Sequence, residues 1–426
     1  MKQFTAIILA VMMLLPFGMR ASAADALPQT TSEAYVVMDA KTGQVLVQKN
    51  MEQREYPASI TKILTAALGC AYGDPATVIT VSEESVNNIW QWGETTHIAL
   101  EPGEQITLRD ALFGAMVESA NDCANAIAQC ISGNLADFVS LMNEQVSALG
   151  LQNTHFTNAH GLPDDNHYTT AYDMALITRW ALSVEGFAEY FGAESYQIPA
   201  NNKKDVVRNI GTHHHMLVES KYYYEYAAGG KLGWTTEAQH TIVTLAEKGG
   251  LSLICVGLNC PDKWGKYTDS IALFDYCFGH YDMVSVAAEE IASFDIPIGT
   301  VSAPRGMVHI APAEDLDILV AKGTPTEHLA LRYQIPNRYK VGERIDPRVE
   351  IYCSGERIGS FELPYTVETY AAADLPVGSA PGGAGSILLS ILKWMGIILL
   401  VLVGLLFLLR AYFMARRRRH RRRSRH

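Results

Sequence analysis

The chain has 426 residues, of which 48% are hydrophobic and 19% are charged. This composition is typical of a globular protein and excludes a disordered one, and the length allows two or three domains. The formal net charge is −11. Residues 386–426 carry +10 and contain no acidic side chain, so residues 1–385 carry −21. A body this acidic argues against nucleic acid as a partner.

The N-terminus has the pattern of a secretory signal. Lys2 precedes an apolar run from Ile7 to Phe17, and small residues of the A-x-A type follow this run. The pattern predicts a signal peptide over residues 1–24, cleaved after Ala23 or Ala24. A buried helix is the alternative interpretation of the apolar run.

Residues 25–282 have the pattern of one domain that opens with strands, continues with helices and ends with strands. The alternation in "AYVVMDAKTGQVLVQKN" predicts a hairpin. Helical spacing follows from "PASITKILTAALGCAY" through "TAYDMALITRWALSV", with a break at "ESAND". "HTIVTLAEKGGLSLICVGLNC" predicts two strands around a Gly-Gly turn, and a helix follows them. We therefore expect an α/β fold of the α+β type, in which the late strands pair with the first hairpin in one antiparallel sheet flanked by helices.

The character of the sequence changes after residue 282. Residues 283–370 contain short alternating runs at close spacing, which predict a small all-β C-terminal domain. Residues 371–386 are rich in Pro, Gly and Ala and predict a linker.

The end of the chain predicts a membrane anchor. Residues 387–414 are long and apolar enough for one transmembrane helix, and Arg410 is the one charge from Trp394 to Met414. Residues 415–426 form an arginine-rich tail, and the positive-inside rule places such a tail in the cytoplasm. This predicts a single-pass protein of the cell membrane with its catalytic domain outside. A nucleic-acid-binding tail is the alternative interpretation.

Neither the cysteines nor the histidine run predicts a metal site. The seven cysteines fit no paired zinc pattern, so buried free thiols or disulfides of unknown pairing are the interpretations left open. The run from His213 to His215 has no H-E-x-x-H partner pattern. The cysteines are Cys70, Cys123, Cys130, Cys255, Cys260, Cys277 and Cys353.

Three short motifs in the predicted domain carry candidate chemistry. The first is Ser59-x-x-Lys62, which places a hydroxyl and an amine on one face at the start of a helix. An amine with a lowered pKa can act as general base for a serine nucleophile, and free N–H groups at a helix start can hold an oxyanion. A surface Ser and Lys on an amphipathic helix is the alternative.

The second motif is S-x-N, which occurs three times in the chain. Only Ser119-x-Asn121 interrupts a helical run, where it could direct a hydroxyl and an amide into a cleft. Helix capping by Ser119 is the alternative.

The third motif is the glycine-flanked lysine of "AGGKLGWTTEA", which comes directly before a predicted strand. Glycine lets a strand backbone approach a ligand closely. A plain glycine-rich turn is the alternative.

Together and in this order, the motifs resemble the S-x-x-K, S-x-N and K-T-G set of the penicillin-binding proteins. The chain resembles the low-molecular-mass branch of that family, the serine-type D-Ala-D-Ala carboxypeptidases, over roughly residues 30 to 370. "VVMDAKTGQVLVQKN" looks like the family's opening hairpin, and "HFTNAHGLPDDNHYTTAYDMALI" is similar to another of its segments. The resemblance implies a transpeptidase-like, serine β-lactamase-like fold.

The resemblance also implies roles for the motif residues. Ser59 would be the acylated nucleophile, Lys62 its base and Ser119 a proton relay, so these three would be catalytic. The substrate would be a peptidoglycan pentapeptide, β-lactams would be covalent inhibitors, and no metal or cofactor would be needed. The implied substrate-binding residues are Asn121, Lys231, Gly233, Trp234 and Thr235, with the N–H groups of Ser59 and Trp234 as the oxyanion hole.

Two departures from the family pattern leave an alternative open. Leu232 replaces the threonine of K-T-G, whose hydroxyl normally helps to bind the terminal carboxylate of the substrate. The predicted anchor is a full span where the family usually has an amphipathic helix. A catalytically weakened or non-enzymatic relative that binds cell-wall peptide is therefore the alternative function. A class A β-lactamase is disfavoured because it would need neither the β-rich segment nor the span.

Overall fold

The computed structural model describes residues 26–89, 95–300, 303–340, 342 and 344–369. By its internal contacts the chain divides into two compact units. Of the described residues, the first unit contains those from 26 to 291 together with 313–334 and 348–363. The second contains those of 292–312, 335–347 and 364–369.

The strands are numbered here in chain order. They are β1 (Ala34–Asp39), β2 (Val45–Lys49), β3 (Val78–Thr80), β4 (Gln105–Thr107), β5 (Ser195–Ile198), β6 (Arg208–Gly211), β7 (Ala227–Thr235), β8 (Gln239–Lys248), β9 (Leu251–Cys260), β10 (Tyr281–Val286), β11 (Phe294–Thr300), β12 (Ala303–Ile310), β13 (Leu316–Ala321), β14 (Leu329–Gln334), β15 (Arg348–Cys353), β16 (Glu356–Glu362) and β17 (Tyr365–Thr369).

A five-stranded antiparallel sheet organises the first unit, with the strand order β2-β1-β9-β8-β7. The prediction that the late strands pair with the first hairpin is confirmed. β8 and β9 meet at Gly249 and Gly250, whose φ angles of 59° and 85° lie in the left-handed region. Glycine enters this region without steric cost, so the Gly-Gly pair predicts the turn correctly.

Alternate residues of the central strands face two separate hydrophobic cores, as the period of two in a strand requires. Val36 and Met38 of β1 pack into the core shared with most of the helices. Tyr35 and Val37 point to the opposite core, which contains Phe274 and its neighbours in the last helix. The antiparallel sheet flanked by helices is therefore confirmed in the part of the chain that the structure describes.

The helices mostly match the periodic segments of the sequence. The predicted break at "ESAND" is confirmed, because one helix ends at Met116 and the next begins at Asn121. The helices are α1 (Lys62–Tyr72), α2 (Glu83–Asn87), α3 (Leu108–Met116), α4 (Asn121–Ser132), α5 (Leu135–Ala148), α6 (Ala171–Ser183), α7 (Phe187–Phe191) and α8 (Gly265–His280).

One helix start differs from the prediction. Ser59 lies in a 3₁₀ turn, Ala58–Thr61, and the α-helix itself begins at Lys62. The φ angle of Ala58 is 50°, outside the right-handed helical region, so one continuous α-helix cannot include this residue.

The strands after residue 282 form several small antiparallel sheets. β10 pairs with β13 and β14-β15-β16 form a sheet in the first unit, whereas β11-β12-β17 form a sheet in the second. Because strands of residues 283–370 occur in both units, the predicted domain boundary after residue 282 stays a prediction.

Several predicted segments lie outside the described residues. They are the signal peptide at 1–24, most of the linker at 371–386, the span at 387–414 and the tail at 415–426. Among the residues that are described, no helix has the length and hydropathy needed to cross a bilayer. The seven cysteines are free thiols, and Cys123, Cys255, Cys260 and Cys277 are buried.

Candidate active site

A cleft of about 640 Å³ brings the three sequence motifs together in the first unit. Ser59 lines it from the turn before α1, Ser119 from the α3–α4 connection, and Lys231 from the edge strand β7. Gly233 and Trp234 continue the lining along β7. The fold therefore joins at one place residues that are more than 170 positions apart in the chain.

Lys62 is fully buried beneath this cleft, with 0% of its surface exposed. Its Nζ lies 3.0 Å from Ser59 Oγ, 2.7 Å from Asn121 Oδ1 and 2.7 Å from the carbonyl oxygen of His160. Burial holds the pKa of Lys62 well below its ordinary value, the charge of Lys231 lowers it further, and Asp122 acts in the opposite direction. A buried amine of this kind favours its neutral form.

The three contacts of Lys62 define the direction of its lone pair. The Asn121 amide oxygen and the His160 carbonyl oxygen can only accept hydrogen bonds, so they take both N–H groups of a neutral amine. The remaining tetrahedral position of Nζ then faces Ser59 Oγ. In the neutral state, this geometry lets Lys62 accept the hydroxyl proton of Ser59.

The S-x-N segment is held by its backbone and by a buried carboxylate. Ser119 has a φ angle of 66°, an uncommon conformation for a residue with a side chain. The N–H of Asn121 donates to the carbonyl of Thr96 at 2.8 Å. Asp122 accepts from three backbone N–H groups, including that of Leu100 at 3.0 Å. These bonds make the helix break rigid.

Two glycines allow the backbone to crowd around Ser59. A Cβ at Gly233 would lie 2.7 Å from the Ser59 nitrogen and 2.4 Å from Thr241 Oγ1. A Cβ at Gly161 would lie 1.9 Å from the carbonyl oxygen of Ala58. Side chains at these positions would displace the nucleophile turn, because real Cβ contacts are never this short.

Lys231 is a buried cation without an acidic partner in contact. It is 4% exposed, and among the described residues no carboxylate lies within ion-pair distance of its Nζ. Burial lowers the pKa of Lys231 to about 7, and Glu118 acts in the opposite direction. An amine in this state would gain from an anionic ligand.

Two further residues of β7, Leu232 and Thr235, make contacts outside the cleft. Leu232 lines the cleft while it packs against the core under α8. Thr235 lies outside the cleft lining, and its hydroxyl accepts from the N–H of Ala238 at 3.0 Å in the β7–β8 turn. The structure therefore brings together seven of the eight predicted site residues, and the substrate-binding role of Thr235 stays a prediction.

The loop that carries the second acceptor for Lys62 was not predicted from the sequence. Asn158 Oδ1 accepts from the N–H groups of His160 and Gly161 and shapes the turn that presents the His160 carbonyl. Burial lowers the pKa of His160 well below its ordinary value, and the charge of Lys62 acts in the same direction. The signal for this loop in the sequence is "HFTNAHGLP", which lies in a segment similar to the family pattern but indicates no role for any single residue.

The histidine run was also missed as a part of the site. His213, His214 and His215 all line the cleft, together with Lys263 and Lys266 at the start of α8. The residues that line the cleft include no Asp or Glu, although the body of the protein is strongly acidic and Glu118 contacts His213 of the lining at 3.3 Å. The cleft is therefore a cationic region, which suits an anionic ligand.

Comparison with known proteins identifies the family. The model of the family Peptidase_S11, D-alanyl-D-alanine carboxypeptidase, matches residues 20–262. The chain is 29% identical over 332 residues to the D-alanyl-D-alanine carboxypeptidase DacF of Bacillus subtilis, which covers 76% of this chain and 82% of DacF. It is also 29% identical to DacA of Haemophilus influenzae, over 84% of this chain and 87% of DacA.

Solved structures show the same architecture. Penicillin binding protein 5 from Haemophilus influenzae superimposes with a TM-score of 0.62 and 26% identity, over 80% of this chain and 99% of that structure. A D-alanyl-D-alanine carboxypeptidase from Mycobacterium tuberculosis superimposes with a TM-score of 0.55 and 27% identity, over 61% of this chain and 95% of that structure. The three motifs, their meeting in one cleft and the match over more than half of the chain agree: the chain belongs to the serine-type D-alanyl-D-alanine carboxypeptidase family, Peptidase_S11.

Proposed function

We propose that this protein removes the terminal D-Ala from peptidoglycan stem peptides through an acyl-enzyme on Ser59. The observation that carries the proposal is the buried Lys62 amine, whose free tetrahedral position faces Ser59 Oγ at 3.0 Å. A serine with such a base is an activated nucleophile.

The proposed reaction begins when Lys62 Nζ takes the hydroxyl proton of Ser59. Ser59 Oγ attacks the carbonyl carbon between the two D-Ala residues, and the N–H groups of Ser59 and Trp234 stabilise the oxyanion. The C–N bond breaks, and the amine of the departing D-Ala receives a proton through Ser119. Water then hydrolyses the ester, which restores the Ser59 hydroxyl and releases the shortened peptide.

The terminal carboxylate of the substrate is assigned to the Lys231 side of the cleft. Lys231 is buried with no acid in contact, and the surrounding lining is cationic. Penicillins carry a carboxylate and an acylating carbonyl, so they are expected to react covalently at the same serine.

We also propose that the protein is anchored in the cell membrane with its catalytic unit outside. The proposal rests on the sequence alone, namely the signal-like residues 1–24, the apolar residues 387–414 and the arginines that follow them.

The first prediction concerns the nucleophile. A labelled penicillin should attach to the peptide that contains Ser59, and Ser59→Ala should remove the label. Lys62→Met should also prevent labelling, because the serine loses its base. Mass spectrometry of the digested adduct gives the position. A label on another peptide, or one that persists in Ser59→Ala, would contradict the assignment.

The second prediction concerns pH. The kcat/KM for a D-Ala-D-Ala peptide should fall as the pH rises through about 7, because Lys231 loses its charge near its pKa of about 7. In Lys231→Arg the alkaline fall should move to higher pH, since a guanidinium stays charged. Lys248→Arg, an exposed lysine outside the cleft lining, is the control. An unchanged alkaline limb in Lys231→Arg would show that another group titrates.

The third prediction concerns Leu232. The missing hydroxyl should cost one hydrogen bond to a charged group, about 1.5–3 kcal/mol, so Leu232→Thr should raise kcat/KM roughly tenfold to a hundredfold. A peptide with an amidated C-terminus should respond much less, because it has no carboxylate. Equal rates in the wild type and the variant would refute the hydroxyl argument. If neither forms an acyl-enzyme, the non-enzymatic alternative is favoured.

The fourth prediction concerns topology. Protease added to intact protoplasts should digest the catalytic unit and spare the arginine-rich tail. A chain truncated after Asp374 should be released from the membrane fraction, because residues 387–414 would be missing. Protection of the catalytic unit from external protease would exclude the proposed orientation.

A further inference from the structure

Two side chains from different segments of the chain contact each other at the cleft. Glu118 comes from the α3–α4 connection, directly before Ser119, and His213 comes from the segment between β6 and β7. His213 Nε2 donates to Glu118 Oε1 at 3.3 Å. His213 lines the cleft, as do Val117 and Ser119 on either side of Glu118. The contact therefore bridges two segments that border the cleft.

Both ends of this bridge are attached to rigid parts of the first unit. The hydroxyl of Tyr267 in α8 donates to the carbonyl of His213 at 3.2 Å. The next residue, His214, is 1% exposed, and its Nε2 lies 3.0 Å from Thr244 Oγ1 of β8. At the other end of the bridge, next to Glu118, the N–H of Val117 donates to the carbonyl of Phe113 in the last turn of α3 at 2.8 Å.

The bridge stands at the end of the cleft that contains Lys231. A Cβ at Gly230, the residue directly before Lys231, would lie 2.5 Å from His214 Nε2, so the residue that follows His213 lies against the strand segment that carries Lys231. In the proposed function this end receives the terminal carboxylate and hence the residue that leaves. A larger group attached to the leaving residue would extend beyond Lys231 towards the contact between Glu118 and His213.

We propose that Glu118 and His213 form an end wall of the cleft, which selects peptides whose leaving group is a single terminal residue over cross-linked peptides with a larger leaving group. This inference rests on the proposed function, because it takes the substrate and its orientation from there. The side chain of His213 is 65% exposed and that of Glu118 is 26% exposed. A bridge this exposed contributes little free energy, so the wall biases the selection and does not close the cleft.

The experiment measures binding, so that it does not depend on turnover. Full-length chain carrying Ser59→Ala is titrated with two labelled peptides by fluorescence anisotropy. The first ends in D-Ala-D-Ala. The second is identical except that its last residue is a D-lysine acylated on its side chain by a second peptide. With the wall intact, the second peptide should bind about fivefold more weakly than the first.

Removal of the wall should abolish most of this difference. His213→Ala should strengthen binding of the second peptide relative to the first by about threefold to fivefold. His213→Gln, which keeps a hydrogen-bond donor for Glu118, should retain most of the discrimination. Glu118→Ala should again favour the second peptide relative to the first.

The matched control is His309→Ala. His309 is an exposed histidine of β12 that contacts two carboxylates, Asp295 and Glu368, and it belongs to the second unit. This variant should leave both affinities unchanged. Equal effects of His213→Ala on the two peptides, or no effect on either, would overturn the proposal.

Turnover tests the proposed function separately. If the chain with Ser59 intact does not hydrolyse the first peptide, the proposed function fails, whereas the binding difference between the two peptides still decides whether the wall exists.

Discussion

Burial of the Lys62 amine is the constraint on which the rest of the site depends. A lysine with no exposed surface must either lose its charge or have that charge compensated. Here two oxygen acceptors from different parts of the chain, Asn121 and the His160 carbonyl, hold its N–H groups. These two contacts stabilise the buried amine. They also orient the remaining tetrahedral position of Nζ towards Ser59, so the same contacts account for both its stability and its reactivity.

This arrangement requires three segments to approach the nucleophile turn at backbone distance. Gly161 lies against Ala58, Gly233 lies against the Ser59 nitrogen, and the hydroxyl of Thr241 donates to the carbonyl of Pro57 at 2.9 Å. The third motif thus contributes in two ways. Lys231 supplies charge. Gly233 has no side chain, so β7 can approach the backbone of Ser59 closely.

The cleft is lined by cationic side chains, whereas the body of the protein carries a net negative charge. The lining contains Lys231, Lys263 and Lys266 but no acid, in a body whose formal charge is strongly negative. Burial lowers the pKa of Lys266 to about 8, so two amines of the lining are poorly solvated. An anionic peptide terminus would improve the environment of such groups, which is how a protein with excess negative charge can attract an anionic substrate.

Much of this site could be predicted because its signals are local. The S-x-x-K spacing, the helix break at Ser119 and the Gly-Gly turn each depend on a few adjacent residues, and the structure has all three. The short 3₁₀ turn at Ser59 was not predicted, because the positive φ of Ala58 leaves no mark in the apolar periodicity.

The sequence by itself determined the family, the order of the motifs and the alternation that builds the central sheet, because residue identity and spacing encode these properties directly. Only the tertiary structure decided that the His160 carbonyl would hold Lys62, that Thr235 would face a turn, and that His213 would meet Glu118 across the cleft. Such contacts join residues far apart in the chain. A backbone carbonyl carries no residue identity, and a side-chain hydroxyl has many possible partners, so their roles become defined only when folding brings the segments together.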